Sequence, residues 1–396
     1  MLTPDYIKKQ PDKLVDLFLE LEDNILHDLV ERLEKNIRVT DTAEYQLKVL
    51  LDMGYEAEDI QKYISEYVDL AAEEVETLLK EVSKVSYERD QELYKVGGKE
   101  LVDLEYNLPV LEQIEAISKQ TKESFKNLTN TIGLVDRQGA VKTTTDYYRD
   151  KLSQGVLEVS SGLYTKEEVV RKVVQEMGDR GIVSIDFESG RKYNIESHVR
   201  TTVTTGINQI TGYMSEYNAD LLGQDLMEIT AHAGARPSHA DWQGQIVSRS
   251  GRDGYLTLDD IGYGDAGGFK GSNCRHDWYP YFEGISERNY TKKDLQELDN
   301  PDFVYQGKKY TMYEATQKQR YIERQIGASK RKLVGYQAGN LENEFLSESI
   351  KLRRLRDEYK QFSKKANLKM SHNRHMKYKF DRAVAQKARW TEYRNR

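Results

Sequence analysis

The chain has 396 residues, 38% of them hydrophobic and 32% charged, with six prolines and one cysteine. That length suits two or three domains, and a single cysteine excludes an internal disulfide and any CxxC redox or zinc pair, leaving only mixed sites shared with histidine. Apolar stretches run to only a few residues, against about 18 for a membrane span, and Met1–Gln10 lacks a leader's apolar core, so the sequence reads as a soluble protein made in the cytoplasm.

The net charge of −7 averages over unlike parts. Residues 1–120 hold 14 Lys+Arg against 29 Asp+Glu, net −15, residues 307–396 hold 24 against 9, net +15, and residues 121–306 carry net −7. A basic end attracts phosphate or acidic protein, and an acidic end repels nucleic acid. The competing reading pairs the two ends with each other or with neighbouring subunits.

The predicted elements begin with helix. Between Pro11 and Lys35 the apolar positions Leu14, Val15, Phe18, Leu19, Leu21, Ile25, Leu26, Val30 and Leu33 recur mainly in three- and four-residue steps. A second helix covers Thr42–Asp52, Gly54 favours a stop, and helical period resumes over Ala57–Leu70 and Glu73–Val96 until Gly97-Gly98. Thr165-x-x-Glu168 has the form of a capping box in front of the stripe Val169, Val170, Val173, Val174 and Met177, which ends at Gly178. Ile182–Phe187, the turn Glu188-Ser189-Gly190 and Arg191–Ile195 read as a hairpin. Helix returns near Glu196, with Val199, Val203, Ile207, Ile210 and Met214 on one face. Its polar face, Arg200, Thr201, Thr204, Thr205 and Asn208, reads as solvated.

The segment from Leu226 to Gly284 carries the chemistry. It holds three of the seven histidines, the only cysteine and two of the three tryptophans, and it contains Gly262, Gly264, Gly267, Gly268 and Gly271 within ten positions. Glycine at that density suits an irregular loop in which backbone approaches something closely. Three readings stay open on residues alone. In one, His232, His239, Cys274 and His276 converge on zinc, whose preferred ligands are imidazole and thiolate. In another, Cys274 is a nucleophile activated by His276 or His239. In the third, side-chain hydrogen bonds and tryptophan packing stitch the loop onto a small domain, with no reaction. Gly264–Ser272 fails the G-x-x-x-x-G-K-[ST] phosphate-loop pattern because Lys270 follows Phe269, and HExxH, GxSxG and EF-hand patterns are absent.

The string His232-Ala233-Gly234-Ala235-Arg236-Pro237-Ser238-His239-Ala240-Asp241-Trp242-Gln243-Gly244, followed by the glycine-rich loop and Asn273-Cys274-Arg275-His276, resembles the signature of the tailed-phage minor capsid protein 2 family. More distantly, it is similar to the head-morphogenesis domain of Mu F-like minor head proteins. Ser189-Gly190-Arg191, Val199-Arg200, Tyr313–Gln317 and Glu323-Arg324 extend the likeness over roughly residues 125 to 380, while the acidic front resembles the family only in being helical. The resemblance implies a low-copy virion component in the capsid interior or at the portal vertex, in contact with portal or major capsid protein, without a known catalytic step. In the Mu F-like relatives a second cysteine commonly stands at the position of His276, an exchange that a metal site tolerates. An acid often stands where this chain has His232, which leaves the fourth ligand open.

The back segment is basic. Lys318, Arg320, Arg324, Lys330, Arg331 and Lys332, and then Arg353 and Arg354 on an amphipathic helix Leu341–Phe362, are candidates for non-specific contact with double-stranded DNA, unless the charges are solvated on a helix packed against portal or capsid. Lys364–Arg396 lacks a long apolar stripe and is expected to order on a partner. The expected fold is mainly α with a small α+β module, hairpin plus glycine-rich irregular loop, in the middle: an acidic helical region 1–124, the α+β module 125–290 and a basic helical region 291–396. The expected function is that of a structural minor capsid protein in head morphogenesis. The alternative is a metal-dependent enzyme, a nuclease or transferase, using the His/Cys cluster. Arg236, Pro237, Ser238, Trp242, Gly244, Asn273 and Arg275 are assigned to holding the loop.

Overall fold

The computed structural model describes residues 2–36, 43–185, 192–298 and 303–394. In chain order the elements are α1 (Pro4–Lys9), α2 (Asp12–Asn36), α3 (Ala43–Val96), α4 (Leu108–Thr131), β1 (Ile132–Val135), β2 (Val141–Thr143), α5 (Thr144–Ser160), α6 (Lys166–Arg180), β3 (Ile182–Ile185), β4 (Lys192–Asn194), α7 (Ile195–Leu221), β5 (Leu226–Ile229), α8 (Pro237–Ala240), β6 (Ile246–Ser248), β7 (Trp278–Pro280), α9 (Lys292–Leu298), β8 (Phe303–Tyr305), β9 (Lys308–Tyr310), α10 (Met312–Ala338), α11 (Glu342–Lys365) and α12 (Arg382–Arg394). The fold is mainly helical with small antiparallel sheets, as expected. No described helix is long and apolar enough to cross a membrane.

Two compact units form, each from three stretches of chain. Unit 1 comprises Met1–Leu14, Ala71–Phe125 and Val199–Lys318, and unit 2 comprises Val15–Leu70, Lys126–His198 and Gln319–Arg396. The boundaries near 124 and 290 divide composition along the sequence. The units divide the chain in space, and both draw on its front, middle and back.

In unit 1 a three-stranded sheet, order β6-β5-β7, pairs Met227 with Val247 on one side and with Pro280 on the other. The face of α7 formed by Val199, Val203, Ile207, Ile210 and Met214 is buried throughout. Residues 303–310, expected to be helical, instead form the hairpin β8–β9, with Phe303 stacked on Tyr310 at 5.6 Å. Its two-residue turn places Gln306 (φ 49°) and Gly307 (φ 79°) in left-handed backbone, which matches the twist of paired strands.

In unit 2 a four-stranded antiparallel sheet has the order β2-β1-β3-β4. Strands β3 and β4 form the expected hairpin pair, and its turn Glu188-Ser189-Gly190 lies outside the described residues. All nine apolar positions read for the first long helix are buried in α2, eight of them in this unit. Helix α3 runs unbroken through Gly54, contrary to the expected stop. One glycine costs a helix only about 1 kcal/mol against alanine, which a long helix absorbs. The capping box of α6 is present in both directions, Glu168 N to Thr165 Oγ1 at 3.2 Å and Thr165 N to Glu168 Oε2 at 2.8 Å. The helix passes Gly178 and ends at Gly181, whose φ of 64° provides the stop. Gly178 serves packing, because a Cβ there would lie 2.4 Å from Lys332 Cγ. The tail, expected to lack structure of its own, forms α12 against α11, with Val384 and Ala388 supplying the buried stripe.

Candidate metal centre

The site lies in unit 1, where the chain leaves β5, turns through α8 and returns to β7 by way of the glycine-rich loop. Two limbs of that loop touch backbone to backbone: a Cβ on Gly268 would sit 1.9 Å from the Gly262 carbonyl oxygen. Lys270 (φ 61°) and Asn273 (φ 56°) hold left-handed backbone without being glycine, so tertiary contacts fix the path.

Those contacts come largely from the polar face of α7, which is not solvated as the sequence reading expected. Asn208, wholly buried, donates Nδ2 to the carbonyls of Gly271 (3.2 Å) and Cys274 (2.9 Å). Thr201 bonds Asn273, and Lys270, paired with Asp277, donates to Thr211 Oγ1 at 2.7 Å. Arg200 reaches Asp12 at 2.6 Å. Sequence periodicity found the apolar face of α7 but gave no sign that loop carbonyls 63 and 66 residues away would cover the other.

The loop encloses an aromatic core. Trp242, Phe269, Cys274 and Trp278 pack with Met227, Ile229 and Val247 of the sheet. Trp242 meets Phe269 edge-on at 5.8 Å and lies 4.5 Å from His239 and 4.9 Å from His276.

His239, Cys274 and His276 come together, with one possible ligand atom from each lying within 4.8 Å of the others, and all three are at most 2% exposed. Cys274 Sγ is 3.5 Å from His276 Nδ1. Zinc bonded to sulfur at about 2.3 Å and to nitrogen at about 2.0 Å in tetrahedral geometry needs an S–N separation of roughly 3.5 Å. Hydrogen-bond partners outside the cluster set the tautomers of the two rings. His239 Nε2 faces the Gly267 carbonyl at 2.8 Å and His276 Nε2 faces Gln243 Oε1 at 3.3 Å, so each donates there and leaves Nδ1 as the lone-pair nitrogen. Gln243, which the sequence reading did not single out, also accepts from His232 N at 3.0 Å.

His232 is not a member of the group. Its ring stacks on that of His276 at 4.5 Å and 21°, and its Nδ1 lies against the Ala233 carbonyl at 3.1 Å and Arg275 Nη2 at 3.3 Å, away from the cluster. The four-ligand set read from the sequence therefore appears here as three.

Burial governs the charges. Desolvation, reinforced by Arg275, pushes His232 down to about 3, and desolvation with the neighbouring histidines holds His276 well below its usual range. Burial also pushes the Cys274 thiol up. These shifts oppose the thiolate–imidazolium pair that a nucleophilic cysteine requires.

The residues assigned to holding the loop divide into several roles. Arg236 donates to the Ser272 carbonyl, Pro237 opens α8 at its first turn, and Ser238 is exposed. Gly244, at φ 66°, gives its carbonyl to Arg288, which also pairs with the fully buried Glu228.

The candidate DNA contacts also divide. Arg324, Arg353 and Arg354 are exposed, Lys318 is half-buried at the end of unit 1, and Arg320 pairs with Glu323 at 2.5 Å. Lys330, Arg331 and Lys332 are inside unit 2. Lys330 bonds the His375 carbonyl (2.7 Å), Arg331 bonds Glu22 (2.9 Å) and the Gly178 carbonyl, and Lys332 pairs with Asp179 (2.5 Å). In this conformation those three do not face a duplex. Consecutive helical residues point about 100° apart, so a run of three bases cannot share one face.

Comparison with known proteins gives first the class, structural proteins of bacteriophages. The chain is similar to a structural protein of Lactococcus phage LL-H, 25% identical over 340 residues, which is 82% of this chain and 88% of that protein. It is also similar to a structural protein of Lactococcus phage mv4, 39% identical over 87 residues, 22% of this chain and 62% of the other. The model of the family described as Phage minor capsid protein 2 matches residues 2–364, and the chain belongs to that family. The match takes in the acidic front, beyond the roughly 125 to 380 read from motifs. No solved structure matches the chain.

Proposed function

We propose that the protein is a low-copy structural component of the phage head, in the capsid interior or at the portal vertex. It acts in head morphogenesis through contacts with portal or major capsid protein, and its basic back segment meets packaged DNA. The observation that carries a structural rather than an enzymatic reading is the burial of the only cysteine and its two histidines at 2% exposure or less, behind a loop tied down by buried hydrogen bonds. A substrate has no approach to those atoms, whereas a closed cluster suits a pin that fixes a loop.

In this reading His239 and His276 through Nδ1, and Cys274 through Sγ, hold a zinc ion. A bound ion would supply the charge that makes the buried thiolate stable, and the lack of solvent access is what would set this three-ligand cluster apart from a catalytic site. Gly267 and Gln243 orient the two rings.

Mass spectrometry of purified particles tests the placement, with the protein expected at far below the copy number of the major capsid protein and cross-linked to portal or major capsid protein. Absence from particles overturns it. Metal analysis of the purified chain tests the pin, with about one zinc per chain expected and its loss in a Cys274→Ala/His276→Ala double substitution. A metal-free protein whose folding the double substitution leaves unchanged rules out the zinc.

A further inference from the structure

Within unit 2, helices α11 and α12 enclose an open groove of about 940 Å³. Leu352 on α11 and Ala385 and Ala388 on α12 form its floor. Its walls carry Arg353, which pairs with Asp357 at 3.6 Å, and Arg356 from one helix and Arg382 and Arg389 from the other, and no carboxylate is among the described residues that line it. At one end Trp390 and Tyr393 meet edge-on at 6.2 Å while remaining 62% and 67% exposed. Two large aromatic rings left in water beside four guanidinium groups form a stacking platform on an electropositive track.

We propose that this groove binds single-stranded nucleic acid, with the arginines along the phosphates and Trp390 and Tyr393 stacked on unpaired bases. The inference rests on the reading that the back segment meets DNA, and it names a different surface and a different strand state. A duplex keeps its bases stacked on each other, so it gains from the arginines alone. A single strand offers free base faces and uses both parts of the groove. Helices α11 and α12 pack on each other, with Val384 and Ala388 of α12 and Leu352 of α11 all buried, so the arginines are presented by packed helices rather than by a loose tail.

The test uses the full-length chain and the anisotropy of a labelled oligothymidine, a labelled duplex of equal length, and an unlabelled glutamate-rich peptide as competitor. The oligothymidine is expected to bind at least ten times tighter than the duplex. Trp390→Ala/Tyr393→Ala is expected to weaken the single strand by about tenfold or more while changing duplex binding less than twofold. Arg382→Glu/Arg389→Glu is expected to weaken the single strand further and to flatten its salt dependence. Far-ultraviolet circular dichroism verifies that the variants keep their helix, which the exposure of these side chains favours. Duplex binding that neither pair of substitutions changes, with no preference for the single strand, overturns the groove and leaves DNA contact elsewhere on the back segment standing. Binding to neither nucleic acid overturns both. Displacement by the peptide at equal charge, with the aromatic substitutions without effect, overturns the proposal in favour of an acidic protein partner.

Discussion

Unit 1 and unit 2 both bury polar clusters, but they place charge differently. In unit 1 the His/Cys group itself is surrounded by amide and carbonyl groups and neutral rings, with Asn208 and Gln243 each serving two partners, while the charged pair Lys270–Asp277 and Arg236 brace the loop around it. In unit 2 a single carboxylate, Glu22, accepts from Arg331 and Lys377 and from the backbone N–H of Ile182. Burial alone would raise Glu22, but the two cations and the amide bring it down to about 2. The neutral cluster fixes the path of an irregular loop at small cost for any one bond. The ionic cluster joins three remote stretches of chain and fails if any member is lost, because a buried charge without a partner is expensive.

Removing the carboxylate should break the ionic side of this comparison most sharply. Glu22→Ala strands Arg331 and Lys377 and is expected to cost about 3–5 kcal/mol in urea unfolding of the full chain. The same group predicts a pH effect. Its folded pKa lies below the usual 4.5, so its contribution is complete above about 4.5 and declines as pH falls toward 2. The stability difference between wild type and Glu22→Gln should therefore shrink on acidification across that window. A constant difference would show that folding does not shift the pKa of this carboxylate.

On the neutral side, Gly268→Ala forces a methyl group against the Gly262 carbonyl and is expected to cost about 1–3 kcal/mol, with red-shifted tryptophan fluorescence as Trp242 and Trp278 become wetter. Asn208→Ala leaves two loop carbonyls without this donor and is expected to cost about 1–3 kcal/mol, with faster amide exchange confined to residues near 271–276. Exchange that rises evenly over the whole chain would remove α7 as the anchor of the loop. The smallest effect is expected from Thr165→Ala, which removes one cap from α6 and should cost about 1 kcal/mol in the same unfolding measurement without touching either cluster.

These features differed in how far the sequence disclosed them. The stripe of α2, the Thr165 cap and the apolar face of α7 were legible because their signals are local and repeat at helical period. The hairpin β8–β9 was missed because its strands are three residues each, too short for alternation to register, and its turn uses Gln306 where asparagine is the usual signal. The His/Cys segment was located by residue type, and three of the four proposed ligands meet there. The exclusion of His232 turns on ring orientation, which spacing does not encode. Arg331 reads as a surface base until its partner is known, and that partner lies 309 residues away.

The burial of Cys274 has a consequence for durability. A thiol that outlasts a reducing cytoplasm meets oxygen and peroxide, which attack the thiolate form at exposed positions. Cys274 is 1% exposed; burial pushes its thiol up in the metal-free chain, and the proposed zinc would cap its sulfur. As the chain's only cysteine, it leaves no second thiol with which to form an internal bridge, and its depth keeps it from cross-linking neighbouring copies. The protein thus carries its one thiol where a long extracellular life would leave it unchanged.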